Sequence, residues 1–380
     1  MLLAYTIYTL VFVFTMSLMR LSVKINRNSN VIENNEIWPI WYMITLFYTL
    51  TIGTRENVGI DYLSYKYHFL LVESSNNFLT KDLIYYLFLP IVNNYGYNWF
   101  ILFLAFITIW YFLQIMKENI HIVVWCFFFF FGLGIFFLSL NIMRQTAASF
   151  IIFYSITKFL KKDYISFSFH FIFALVIHKA GIIVLPLLFI VQRDILKSVK
   201  LQLVLFFICL TCGNFFFNNI LSLLTDRLSF LNLGQYNYYI RNIDYVLAKT
   251  ARNYSEANST GLFVLLLIVV DTVAIYFSPL LKSNYNKNGF ILFYNLYYIG
   301  IILHPILLSH ETGVRLASYF VFYRFYIYAT LFHFIFKSRN NILLRVFCIY
   351  VLISCIAYYY VTIYRCRMEI APYQFIFNFF

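Results

Sequence analysis

The sequence predicts an all-α fold, a polytopic integral membrane helical bundle of about twelve spans. Three observations predict it. Hydrophobic residues make up 62% of the chain and charged residues only 11%, where a soluble domain carries roughly a quarter. Apolar runs recur at about the 20 residues needed for a tilted helix to cross ~30 Å of hydrocarbon. The cations fall mainly in the short gaps between those runs, where orientation signals belong.

Taken in order, the first run, Leu2–Leu21, lacks a basic leading segment and a small-residue cleavage site. It therefore reads as a retained span rather than a removable signal. The runs Ile37–Ile52, Trp99–Met116, Ile122–Leu140, Ala147–Phe159, Tyr164–Ile177 and Ile182–Val191 follow. Leu201–Leu221, Leu262–Leu281, Phe290–Leu308, Leu316–Phe336 and Val346–Ile363 complete the set. Tyr164 to Val191 is the weakest stretch, because each leg is shorter than a normal span. It predicts two short or re-entrant helices turning at His178-Lys179-Ala180-Gly181, backbone that is tolerated where it lines a wet cavity or is buried in protein.

Alternate gaps are basic: Arg20, Lys24 and Arg27; Lys117; Lys158, Lys161 and Lys162; Arg193, Lys197 and Lys200; Lys282 and Lys287; Lys337, Arg339 and Arg345. The positive-inside rule places these in the cytoplasm and both termini outside. Most acids fall in the other gaps, two of which are long, about 54–98 and 222–260. These two outer loops are expected to carry short helices. No repeat period or second domain stands out, so residues 1–380 read as one transmembrane domain.

The net charge of +13 does not point to nucleic acid, because a nucleic-acid binder clusters its cations on one solvated face. Cations dispersed between apolar runs suit topology signals and contact with anionic membrane lipid. The six cysteines mostly lie inside apolar runs, where cysteine behaves as a small hydrophobe. Cys209-Leu-Thr-Cys212 has redox spacing but lacks the electropositive, soluble setting that redox chemistry requires. The outer loops show no Asp-x-Asp and no histidines at ligand spacing, so neither a metal nor another cofactor is expected.

Chemistry gathers on the predicted outer face. The segment Thr54–Tyr65, TRENVGIDYLSY, places Arg55, Glu56, Gly59, Asp61 and Tyr65 at the mouth of an apolar span, a costly arrangement unless water or a ligand solvates it. Arg144 and Gln145 sit at the outer end of another span. His178 lies at the turn of the short pair, and Arg315 opens the Leu316–Phe336 span with His310 and Glu311 beside it. Several arginines around one cavity suit a pyrophosphate, because the guanidinium fork matches phosphate oxygens and stays charged. Asp61 and His178 are the candidates to take a proton from an acceptor hydroxyl, with Glu311 in reserve. Read singly, Arg55 and Arg315 are equally headgroup anchors, Asp61 a helix cap or a partner of Arg55, and His178 a packed histidine. The loop Tyr236–Tyr254 reads either as a sugar-stacking surface or as a solvated aromatic belt. Asp271 and Arg324 stand near mid-membrane and are expected to pair inside the bundle.

These residues carry a resemblance. Arg55-x-x-x-Gly59-x-Asp61-x-x-x-Tyr65 resembles the signature of the EpsG-type polysaccharide polymerases, relatives of the Wzy O-antigen polymerases. Arg144-Gln145-Thr146-Ala147-Ala148, the basic pair Lys161-Lys162 and Val176-Ile177-His178-Lys179-Ala180-Gly181 are similar to its second hallmark, in order. Arg315 with Tyr319, and Pro372-Tyr373, extend the likeness. The resemblance implies a GT-C-like, metal-independent membrane glycosyltransferase of the bacterial cytoplasmic (inner) membrane. Its donor would be an undecaprenyl-pyrophosphate-linked oligosaccharide, joined to the next lipid-linked repeat unit on the outer leaflet, with a flippase and a chain-length regulator as further partners. In that frame Arg144 and Arg315, helped by Arg55, hold the departing pyrophosphate, and Asp61 or His178 serves the acceptor. Gly59, Tyr65, Gln145, Tyr319 and Glu311 line the substrate, and the polyprenyl tail lies against aromatic spans such as Trp125 to Phe137. A flippase for lipid-linked oligosaccharide and a multi-span sugar O-acetyltransferase are the rival readings.

Overall fold

The computed structural model describes residues 1–28, 37–74, 83–190, 192–228, 261–285, 289–309, 311–338 and 341–375, with the backbone alone for Ile190, 221–228 and Glu311. Most of the 222–260 loop, including Tyr236–Tyr254, and His310 lie outside the described residues. Within them the chain is helix and turn, with a single isolated bridge between Arg55 and Phe375 and no strand.

The apolar runs become helices close to their expected bounds: α1 (Leu2–Asn28), α2 (Trp38–Gly53), α3 (Asp61–Ser74), α4 (Leu83–Tyr95), α5 (Asn98–Met116), α6 (Val123–Gly132), α7 (Ile135–Asn141), α8 (Met143–Leu160), α9 (Tyr164–Ile177), α10 (Val184–Ile190) and α11 (Val199–Leu228). Helices Leu262–Tyr276, Ser278–Tyr285, Phe290–Ile306, Glu311–Val321, Arg324–Lys337 and Ile342–Tyr364 follow. The 54–98 loop carries two helices, α3 and α4. The short pair appears as α9 and α10 around a 3-10 turn at Lys179–Ile183.

Fewer helices reach spanning length than the about twelve spans expected. Among the described residues, five helices are long and apolar enough to cross a membrane, or six if the bent pair Leu262–Tyr276 and Ser278–Tyr285 is one span. Length explains the shortfall: fourteen residues of α9 reach only ~21 Å. The apolar stretch from Asn98 to Gly132 also reverses at Lys117–Ile122. The rings of Phe112 and Phe127 lie 4.5 Å apart, whereas a straight helix would separate them by ~22 Å. Together with the exposed apolar faces of α11 and Ile342–Tyr364, these helices make the chain a multi-pass membrane protein.

The chain forms two compact units, residues 1–182 with 328–380, and residues 183–327. The first is built on phenylalanine. Phe127, Phe129, Phe130, Phe131, Phe136 and Phe137 are at most 1% exposed. They interlock edge to face with Phe112, Tyr8, Phe332 and each other, the geometry that the ring quadrupole favours. Most of the aromatic run expected to hold a polyprenyl tail is thus interior. Its rings are spent on protein packing, where a lipid chain has no access.

The second unit is fixed by polar clasps. Arg324 grips Asp271 through Nη2–Oδ2 at 2.7 Å and Nε–Oδ1 at 3.3 Å, and Tyr297 donates to the same carboxylate at 2.7 Å. The pair expected from the sequence is present. Asp271 is 1% exposed, a burial that a carboxylate sustains only when its charge and lone pairs are met. At the end of Ser278–Tyr285, Lys282 donates to Asp194 at 2.6 Å.

Candidate functional site

Helix α2 packs close on α5, since a Cβ at Gly53 would meet the Leu102 backbone at 2.8 Å. The chain then turns sharply through Thr54–Ile60. Arg55 is fully buried. Its Nη1 donates to Ile52 O at 2.7 Å, Nε to Val58 O at 3.3 Å, and Nη2 to Leu140 O at 3.0 Å, with Met143 Sδ at 2.7 Å. Ile52 and Leu140 end α2 and α7, where helices leave carbonyls without partners, so the guanidinium caps two helices at once. Gly59 holds φ +101°, and a Cβ there would stand 2.7 Å from Leu140 O. Ile60 N donates to Asn141 Oδ1 at 2.8 Å. The C-terminal segment zips onto the same turn, with Glu56 N on Gln374 O at 2.9 Å and Gly59 N on Glu369 O at 2.9 Å. Tyr373 donates to Thr51 O, and Tyr8 to Ile370 O.

Two expectations change here. Arg55 does not present its donors to a cavity, because carbonyls and a thioether surround them. Gly59 serves the backbone: it permits a left-handed turn against Leu140 that a side chain would obstruct.

The turn launches α3, with Asp61 in its first turn, where the helix dipole favours a carboxylate. Asp61, Tyr65 and His68 follow at helical spacing and share one face. Tyr62 and Phe69 pack the helix down, Tyr62 against Tyr97 at 5.2 Å and Phe69 against Phe100 at 5.0 Å. Burial pushes the Tyr62 phenol up to about 12, with the nearby Arg55 charge pulling the other way.

Arg144 stands in the first turn of α8. Its Cζ lies 5.2 Å from the ring centre of Tyr65 and 4.7 Å from that of Tyr85 on α4. The ring of His68 stacks on Tyr85 at 5.3 Å and 24°. A half-buried guanidinium is thereby held by two aromatic rings at the positive end of a helix, a setting that attracts anions. Gln145, beside it, is 4% exposed and faces protein.

His178 caps the end of α9 in extended backbone and is half-buried. The ring pairs Tyr154–His170 at 4.9 Å and Phe159–Phe167 at 5.2 Å set the register of the α8–α9 hairpin. Carried along the hairpin, that register brings His178 level with Thr146–Ala148, about one turn from Arg144. Helix α4 packs on α9 as well. Asp61, Tyr65, Arg144 and His178 thus belong to one end of the first unit.

Arg315 lies exposed on Glu311–Val321 in the second unit, with Tyr319 one turn on and 2% exposed. Asp61, Tyr65, Arg144 and His178 all belong to the first unit. The side chain of Glu311 is outside the described set.

The sequence reading missed His68 and Tyr85. His68 had a signal, since it falls three residues beyond Tyr65 on the Asp61 face once the segment is read as a helix. Tyr85 had none, because its role depends on α4 meeting α3. Among the described residues, no three His, Cys, Asp or Glu are grouped to hold a metal.

Comparison with known proteins adds one finding. The EpsG family matches residues 38–375. No curated protein and no solved structure matches the chain. The matched region runs from the start of α2 to the Phe375 bridge, and so contains the Arg55 turn, the C-terminal segment paired with that turn, and Arg144 with its two tyrosines. The chain belongs to the EpsG family, and its role is of the membrane polysaccharide-polymerase, glycosyltransferase-like kind.

Proposed function

We propose that the protein polymerises a surface polysaccharide, O-antigen, capsule or exopolysaccharide, at the outer face of the bacterial cytoplasmic membrane. The donor is a glycan on undecaprenyl pyrophosphate and the acceptor is another lipid-linked repeat unit. The observation that carries this reading is Arg144, set between Tyr65 and Tyr85 at the head of α8 with Asp61 one turn from Tyr65. An acceptor hydroxyl attacks the anomeric carbon and passes its proton to Asp61 or His178. The bond from that carbon to the pyrophosphate oxygen breaks, and the growing charge on the leaving group is met by Arg144 and the helix terminus. Tyr65 and Tyr85 hold the guanidinium, and His68 steadies Tyr85. Arg315, on the second unit, is a separate candidate cation of the proposal.

The test is genetic and direct. Deleting the gene should leave single-repeat glycan, exported normally, on a polysaccharide gel; a flippase defect would instead remove surface glycan altogether. Complementation with Arg144→Ala should leave the single-repeat band. A restored ladder from that variant would overturn the site.

A further inference from the structure

A second site lies at the opposite end of the α2–α5 pair from the Arg55 turn. The helices run in opposite directions, with Gly53 against Leu102 at one end and Trp38 against Trp110, 6.2 Å apart, at the other. At that end Ile37, Trp38, Trp41, Lys117 and Ile120 line a pocket. Lys117 Nζ stands 4.9 Å over the Trp38 ring. Trp41 is only 3% exposed, and its indole N–H meets no acceptor among the described residues. A buried donor on a residue that lines a pocket beside a lysine asks for an anionic oxygen.

Beside the pocket runs a flat aromatic wall. Trp38 stacks on Tyr42 at 28°, Tyr42 on Trp110 at 23°, and Trp110 on Phe106 at 17°. Tyr42 is 54% and Phe106 41% exposed, so the wall faces outward. It leads along α5 away from Lys117.

We propose that this pocket binds the phosphate of an anionic glycerophospholipid. Trp41 Nε1–H and Lys117 donate to phosphate oxygens, and an acyl chain lies along Tyr42, Trp110 and Phe106. The two donors alone would suit any phosphate. The aromatic wall selects one carrying a hydrocarbon chain, and Lys117 disfavours headgroups that bring their own cation.

The experiment is native mass spectrometry of the full-length protein in detergent, titrated with phosphatidylglycerol or phosphatidylcholine. Wild type should show one tight phosphatidylglycerol site that inorganic phosphate does not displace. Trp41→Phe keeps a ring and removes the donor, and Lys117→Gln removes the charge. Each should weaken that site about fivefold and leave phosphatidylcholine binding unchanged. Lipid-free Trp41→Phe should melt no lower than wild type, since it removes a buried donor without a partner. Unaltered phosphatidylglycerol binding by Trp41→Phe, equal affinity for both lipids, or displacement by inorganic phosphate would each overturn the proposal.

Discussion

Arg55 and Arg144 belong to the same compact unit, and Met143 joins them: its sulfur touches the guanidinium of Arg55 and the next residue is Arg144. Yet they live in opposite surroundings. Arg55 is sealed from solvent and its N–H groups end on three backbone carbonyls and a thioether. Arg144 is half-buried and held against two tyrosine rings. Carbonyls hold the first guanidinium edge-on through its N–H groups, whereas the rings of Tyr65 and Tyr85 hold the charge of the second. The difference separates an arginine that builds the turn from the one we propose for the ligand, although both stand in motifs that read alike.

The largest effect should come from breaking the sealed arginine. Arg55→Ala leaves two helix-end carbonyls buried and unmet and should cost about 3–5 kcal/mol. Arg55→Lys should rescue little, because one ammonium does not span the fork's three acceptors. Yield of monodisperse protein and the thermal midpoint in detergent measure this; a wild-type midpoint in Arg55→Ala would erase the contrast. Gly59→Ala tests the same turn from the backbone side. Strain at positive φ alone should cost about 2 kcal/mol, with the contact to Leu140 O adding to it.

Arg144 should behave in reverse. Arg144→Ala should shift the thermal midpoint little and lower the rate of polymer formation on the order of 100-fold. Arg144→Lys should recover part of the rate, since charge returns without the planar fork. The finest cut separates ring from hydroxyl at Tyr85. Tyr85→Leu should slow polymerisation about fivefold, and Tyr85→Phe should stay near wild type, because the ring face supplies the ~1 kcal/mol of a cation–π contact. A Tyr85→Phe variant as slow as Tyr85→Leu would move the role from the ring to the hydroxyl.

The helical layout was legible because apolar run length and helix length are the same quantity measured twice. The Asp271–Arg324 pair was legible for a similar reason: two opposite charges stranded in apolar runs have few other ways to be neutralised. The sorting of Arg55 from Arg144 was not legible. It depends on Leu140, Val58 and Ile52 turning their carbonyls toward one point, and on α4 bringing Tyr85 beside α8. The expected lipid face at Trp125–Phe137 failed for a related reason. A run of phenylalanines suits a protein interior and a hydrocarbon exterior equally, and composition does not distinguish the two.

By itself, the sequence determined that this chain is helical, membrane-embedded and a member of one family. Those properties follow from hydropathy, run length and short motifs, all local along the chain. Only the tertiary structure decided which motif residues are sealed into the fold and which gather with aromatic rings at a helix start. That choice rests on which acceptors, rings and helix ends come within a few ångströms of each charge, and those neighbours lie tens to hundreds of residues away.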